Sequence, residues 1–172
     1  YAAEWPGRTH TIPENNRGLS YVRQYALTKP GGPKWYWMLD DDITGFYEAE
    51  NGKCTKIPAA DCLKKAERLI LECEAKLGNL GMAGLEYQQF AWRQKKALIF
   101  GGYCDVAVAS NREAVGVEFD LDMRMMMDRD FTLGLMSAGY QVVRLGKLAF
   151  SAPENGSNKG GLKAEYDTNS EE

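Results

Sequence analysis

Three consecutive aspartates, Asp40, Asp41 and Asp42, close the apolar run Trp35-Tyr36-Trp37-Met38-Leu39. Alternate side chains of an extended chain share a face, so Asp40 and Asp42 project together with Asp41 between them. Two carboxylates with oxygen-only donors suit Mg2+ or Mn2+, and such an ion bridges substrate phosphates. Crowding like charges costs free energy unless a cation neutralises them. The plainer reading is a charged strand end entering a turn. A second acidic pair, Asp128 and Asp130, flanks Arg129 at the head of an apolar-periodic stretch. One of these carboxylates can serve as a general base for an acceptor hydroxyl. The competing reading is a pair of acids favoured at a helix N-terminus. Arg17 and Arg23 offer planar forks to phosphate. Lys159, Gly160 and Gly161 can form a loop that folds over phosphates, or belong to a plain tail. Arg93, Lys95 and Lys96 make a short basic run able to touch a nucleic-acid backbone. Beside it, Tyr87, Phe90 and Trp92 can stack on a sugar or a base, unless they pack in the core.

The elements that must position these residues follow from periodicity. Residues 17–27 place Leu19, Val22, Tyr25 and Ala26 at helical spacing, with Asn15 or Asn16 as cap. Residues 35–39 read as a buried strand, and 46–58 as a loop or hairpin turning at Asn51-Gly52. Residues 59–77 predict a long helix with Leu63, Ala66, Ile70, Cys73 and Leu77 as its apolar stripe. Pro58 sits near its start and Gly78 just past its end, the favoured asymmetry. Residues 82–91 are mixed, and 96–111 predict one or two strands broken at Gly101-Gly102. Residues 115–127 read as loop, 130–140 as a helix, 141–150 as a strand, and 151–172 as a flexible closing loop and tail. Helices alternating with strands predict an α/β domain over residues 1–172 with a mostly parallel central sheet flanked by helices.

Composition narrows the classes. The chain has 172 residues, 26% charged and 44% hydrophobic, which excludes disorder as the main state. Its net charge of −3 disfavours a generic DNA-coating protein without excluding a local basic groove. No apolar run is long enough to span a bilayer. The first residues lack the pattern of a signal peptide, and without an initiator Met the chain reads as an internal piece. Cys54, Cys62, Cys73 and Cys104 form no CxxC pair, so zinc and redox motifs lack their spacing, and free thiols suit a reducing cytosol. His10 is the only histidine, which leaves catalysis to carboxylates.

The segments GLSYVRQYAL, WYWMLDDDI, AGLEYQQFAW and DRDFTLGLMSAGY, with Gly160-Gly161 closing, resemble the GT-A glycosyltransferases. More narrowly they are similar to the TET/JBP-associated glycosyltransferases of bacteriophages, relatives of the base J glucosyltransferase. The resemblance spans about residues 15–161. It implies a GT-A-like, Rossmann-like sheet and a UDP-sugar donor, UDP-glucose or UDP-GlcNAc, used with Mn2+ or Mg2+. The implied acceptor is the hydroxyl of 5-hydroxymethylcytosine, or another hydroxymethylpyrimidine, in phage DNA within the host cytoplasm. Carried over residue by residue, Asp40 and Asp42 hold the metal, with Asp42 the direct ligand. Arg17, Arg23, Asp40 and Asp41 join the nucleotide side. Asp128 is the base in an inverting reaction, supported by Asp130. Lys159, Gly160 and Gly161 close near the pyrophosphate. Three features depart from the pattern. Met127 stands where an acidic residue is usual, no histidine lies near the C-terminus, and a first strand is missing before Tyr1 or supplied in altered form by residues 1–12. Three alternatives remain: a GT-A enzyme acting on a polysaccharide, lipid or protein, a degenerate binding module, and a metal-dependent phosphatase or nuclease.

Overall fold

The computed structural model describes residues 9–114 and 116–153. Helix α1 spans Leu19–Thr28 and strand β1 spans Trp35–Leu39. A hairpin follows, β2 (Gly45–Glu50) and β3 (Lys53–Ile57). It turns through Asn51 and Gly52 at φ 49 and 76, the left-handed pair that a two-residue loop requires. Helix α2 runs Ala59–Leu77, then β4 Leu80–Tyr87 and the short α3 Gln88–Ala91. Strands β5 (Leu98–Phe100) and β6 (Ala107–Asn111), helix α4 (Met127–Ser137) and strand β7 (Gln141–Ser151) complete the order.

Helix α2 has the bounds that its pattern predicts. Pro58 precedes it, Asp61 sits in its first turn and Lys76 in its last, and Gly78 takes the left-handed cap at φ 74. Its buried residues are Cys62, Ala66, Ile70 and Cys73, whereas Leu77 is exposed, so the stripe is rotated slightly from the expected one. Helix α1 starts later than expected. Gly18 holds its N-cap without a side-chain bond, in place of Asn15 or Asn16. Helix α4 starts and ends earlier than 130–140, with Met126 in the left-handed conformation before it.

The described residues form a seven-stranded sheet in the order β1-β6-β4-β7-β2-β3, with β5 also on β7. The expected mostly parallel sheet is corrected: only β4 and β7 pair in parallel, and the remaining pairings are antiparallel. The reason is local. The β2–β3 hairpin reverses the chain at once, and β6 descends between β1 and β4, a reversal that periodicity does not encode. Strand β1 lies at the end of this order, and its five residues are half-buried or exposed, so its continuous apolar run belongs to a sheet edge.

Two cores cover the two faces. Cys62, Ala66, Ile70 and Cys73 of α2 pack on Ala83, Leu85, Val143, Leu145 and Phe150. On the other face Leu27 of α1 and Phe131 and Leu135 of α4 meet Met82, Val108 and Val142. Gly84 lets the β5–β6 connection lie against β4, since a Cβ there would lie 2.5 Å from Cys104 Cβ. Among the described residues, no helix is long and apolar enough to cross a membrane.

Candidate active site

Strand β6 runs antiparallel to β1 and to β4, so β1 and β4 point the same way, as does β7. The C-terminal ends of β1, β4 and β7 therefore share one edge of the sheet. Ligands of α/β sheets gather at this kind of edge. Asp40 follows β1, Tyr87 ends β4, and Ser151 ends β7. The loop carrying the aspartates is tied down at both ends. Asp40 N donates to Val106 O at 2.9 Å, and Thr44 N donates to Ser151 O at 2.7 Å.

Arg23, on α1, reaches this edge from the side and is only 5% exposed. Its Nη2 donates to Asp40 Oδ1 at 3.2 Å, and its Nη1 forms an ion pair with Asp128 Oδ1. One guanidinium thus joins the two acidic clusters, which lie far apart in sequence. The arginine is held against two carboxylates in the protein interior, not on a solvated face. Ser20 on the same helix donates to Met123 O at 2.6 Å, and Gln24 Oε1 accepts from Phe119 N at 2.9 Å. These bonds fasten α1 to the segment that delivers Asp128.

Asp128 lies in the first turn of α4, where the helix dipole favours a carboxylate. Asp130 is two positions further along. Residues two apart on a helix do not share a face, and the ion pair to Arg23 is made by Asp128. Asp42 lies in the turn after Asp40 with its Oδ1 shielded from solvent, and Asp41 is exposed. Arg17 is elsewhere. It pairs with Glu14 at 2.7 Å and lies over the Tyr21 ring, beside a cavity of about 540 Å3 lined by residues 16–20 and 121–124. Lys159, Gly160 and Gly161 lie outside the described residues.

The structure adds a carboxylate that sequence reasoning missed. Asp105 Oδ2 accepts from the Tyr87 hydroxyl at 3.0 Å, and its charge also acts on the Tyr103 hydroxyl nearby. The guanidinium of Arg129 on α4 lies over the Tyr103 ring, 5.1 Å from its centre. Val106, the next residue, has φ 58, and Ala107 N bonds Asp105 O at 2.5 Å across it. A β-branched residue in this tight turn is strained, and such strain gathers at functional sites. No periodic signal marks Asp105, because it is a single acid between Cys104 and an apolar strand.

The electrostatics are those of a crowded acidic edge. Burial pushes the Asp40 carboxyl above the usual aspartate range; Arg23 opposes this, while Asp42 and Asp105 push it further up. Burial, then Asp105, raises the Tyr87 hydroxyl well above its ordinary value and the Tyr103 hydroxyl to about 12. Both phenols are therefore protonated donors at neutral pH. Among the described residues, no three His, Cys, Asp or Glu side chains are arranged as a metal cage. The donor set still fits a hard divalent ion. Asp40 and Asp42 supply oxygen only, and their charge is incompletely offset by Arg23. Mg2+ is commonly held by one or two carboxylates and completed by substrate phosphates and water.

A mixed α/β sheet whose strand ends gather carboxylates around a buried arginine makes this edge the candidate site. The chain matches the family described as TET-Associated Glycosyltransferase over residues 1–161. It belongs to that family and is a glycosyltransferase. No curated protein and no solved structure matches it.

Proposed function

We propose that the protein transfers a sugar from a nucleotide-sugar, a UDP-sugar such as UDP-glucose or UDP-GlcNAc, to the hydroxyl of a hydroxymethylated pyrimidine in DNA, in a GT-A-like site. The observation that carries this reading is Arg23, which brings Asp40 and Asp128 to one place. That single contact supports a donor side and an acceptor side at one edge of the sheet. Asp40 and Asp42 are the residues to hold Mn2+ or Mg2+, which when bound neutralises the charge developing on the leaving diphosphate. Arg23 orients Asp40 from behind. Asp128 faces the acceptor and takes the proton of its hydroxyl if transfer inverts the anomeric centre. Asp130 supports that turn of α4, and Asp105 with its two phenols braces the far side. A DNA acceptor requires the target base to leave the stack or to arrive single-stranded.

The test is a transfer assay with UDP-glucose and UDP-GlcNAc, Mn2+ or Mg2+, and DNA with and without hydroxymethylcytosine. Mass spectrometry of the digested nucleosides should show a hexose or N-acetylhexosamine added to hydroxymethyldeoxycytidine. Asp42→Ala should reduce turnover to background while leaving the circular dichroism spectrum unchanged. UDP release with no modified nucleoside would remove the DNA acceptor. Full activity of Asp42→Ala would remove the metal assignment.

A further inference from the structure

We propose that residues 88–96 form a rigid landing surface for a single-stranded stretch of the acceptor DNA, an inference that rests on the reading of DNA as acceptor. The segment leaves the end of β4 through α3 and then turns, with Arg93 N bonding Phe90 O at 3.2 Å and Gln94 N bonding Ala91 O at 3.1 Å. It is anchored from below. Gln94 Nε2 donates to Glu86 Oε2 at 2.7 Å, and Glu86, 1% exposed, also takes Arg144 Nε at 3.2 Å. Lys147 Nζ donates to Gln94 O, and Gly146 N donates to Ala97 O at 2.9 Å. A buried glutamate and a buried strand thus fix the backbone while the outward side chains remain in solvent.

Those outward side chains are of two kinds. Trp92 is 51% exposed, and its Nε1 donates to Gln89 O at 3.0 Å, which orients the indole. Phe90 is 37% exposed, with the Arg93 guanidinium 4.9 Å from its ring centre. Arg93, Lys95 and Lys96 are exposed cations, and residues 88–97 contain no acid, in a chain of net charge −3. Aromatic faces with interleaved cations bind single strands, because an unpaired base stacks while its phosphate meets the charge. A duplex hides the base faces that Phe90 and Trp92 would need. Fixing the rings in advance lowers the ordering cost of binding. The platform also leads to the candidate active site. Phe90 meets the Tyr87 ring edge-on at 6.3 Å, and the Tyr87 hydroxyl holds Asp105.

The experiment measures fluorescence anisotropy of a labelled twelve-nucleotide strand carrying one hydroxymethylcytosine, titrated with the full chain across a salt series. The duplex of the same sequence is titrated in parallel. The wild type should bind the strand more tightly than the duplex. Trp92→Ala should weaken strand binding about tenfold with the salt slope unchanged. Arg93→Ala/Lys95→Ala/Lys96→Ala should weaken it and flatten the log–log salt slope by about 2, as three lost phosphate contacts imply. Circular dichroism of both variants checks that they fold. Unchanged binding in either variant, a duplex bound as tightly as the strand, or a wild type that ignores the strand would each overturn the proposal. UDP release by the wild type without acceptor is measured separately. Release with no strand binding would defeat the landing surface and leave the transferase reading. Strand binding lost in the variants, with no sugar transferred to the strand from either UDP-sugar, would defeat the proposed donor and acceptor and keep the surface.

Discussion

The two flanks of the acidic edge solve the same problem by different means. On one side Asp40 and Asp128 share a buried guanidinium; on the other Asp105 is held by the hydroxyl of Tyr87, with the Tyr103 phenol beside it. The guanidinium supplies a full charge and a fixed fork, so it joins two distant segments and sets the distance between them. The phenols supply donors without charge, so Asp105 keeps its negative field and transmits it to Asp40. One flank is therefore partly neutralised and the other keeps its full charge. A site that needs a cation at one point and a positioned carboxylate at another is served by that asymmetry.

The largest effect is expected from breaking the charged flank. Arg23→Ala leaves two carboxylates facing one another without their cation. A broken buried pair costs about 3 kcal/mol, the low end of the usual range, because Asp40 and Asp128 retain some solvent contact. Urea denaturation should show that loss, and Arg23→Lys, which keeps the charge but not the fork, should lose less. An unchanged midpoint in Arg23→Ala would mean that the guanidinium does not organise this flank. The phenol flank should yield less. Tyr87→Phe removes one bond to a carboxylate, about 1.5 kcal/mol. Because the Tyr103 phenol feels the same carboxylate, Tyr87→Phe/Tyr103→Phe should depart from additivity by more than about 0.5 kcal/mol in a double-mutant cycle. Strict additivity would mean that the two hydroxyls act separately.

The smallest effect lies beneath the phenol flank. Burial pushes the Cys104 thiol up to about 12, Arg144 opposes this, and Asp105 adds to it. The folded chain keeps this proton at a pH where the unfolded chain has released it. Unfolding then releases a proton, so stability should fall as pH rises from about 9 towards about 12. Thermal midpoints between pH 8 and 10.5 measure the slope, and Cys104→Ala should make it shallower. Cys62, raised to about 11 by burial on the opposite face of the sheet, contributes a slope that this substitution leaves in place.

How much of this was legible in the sequence depends on whether the signal is local. Helix α2 and strand β1 carry their bounds in their own residues, and the Asn51-Gly52 turn dictates its hairpin. The aspartate triplet and the Asp128 cluster were visible as residue types, but their meeting through Arg23 was not. Sheet direction was misread because the placement of β6 between β1 and β4 is a long-range packing choice. Arg17 and Arg23 looked equivalent in sequence. Burial separates them, since Arg23 is enclosed and Arg17 pairs with Glu14 at the surface. Asp105 was silent for the same reason: its importance lies in Tyr87 and Tyr103 and in the strained turn at Val106, none of which leaves a periodic mark.

Strand β7 has a consequence for how the molecule is made. It is the common neighbour of β2, β4 and β5, and it is the last strand of the described chain. Until it emerges from the ribosome, the β2–β3 hairpin has no link to β4, and Thr44 has no Ser151 to hold the aspartate loop. Pairings between such remote segments form slowly, because closing a long loop precedes any gain from contact. The acidic edge thus lacks its tether to Ser151 until β7 is in place. A chain ending before Gln141 would keep Arg23, Asp40 and Asp128 but lose the strand that joins the two halves of the sheet and the Ser151 anchor of the aspartate loop.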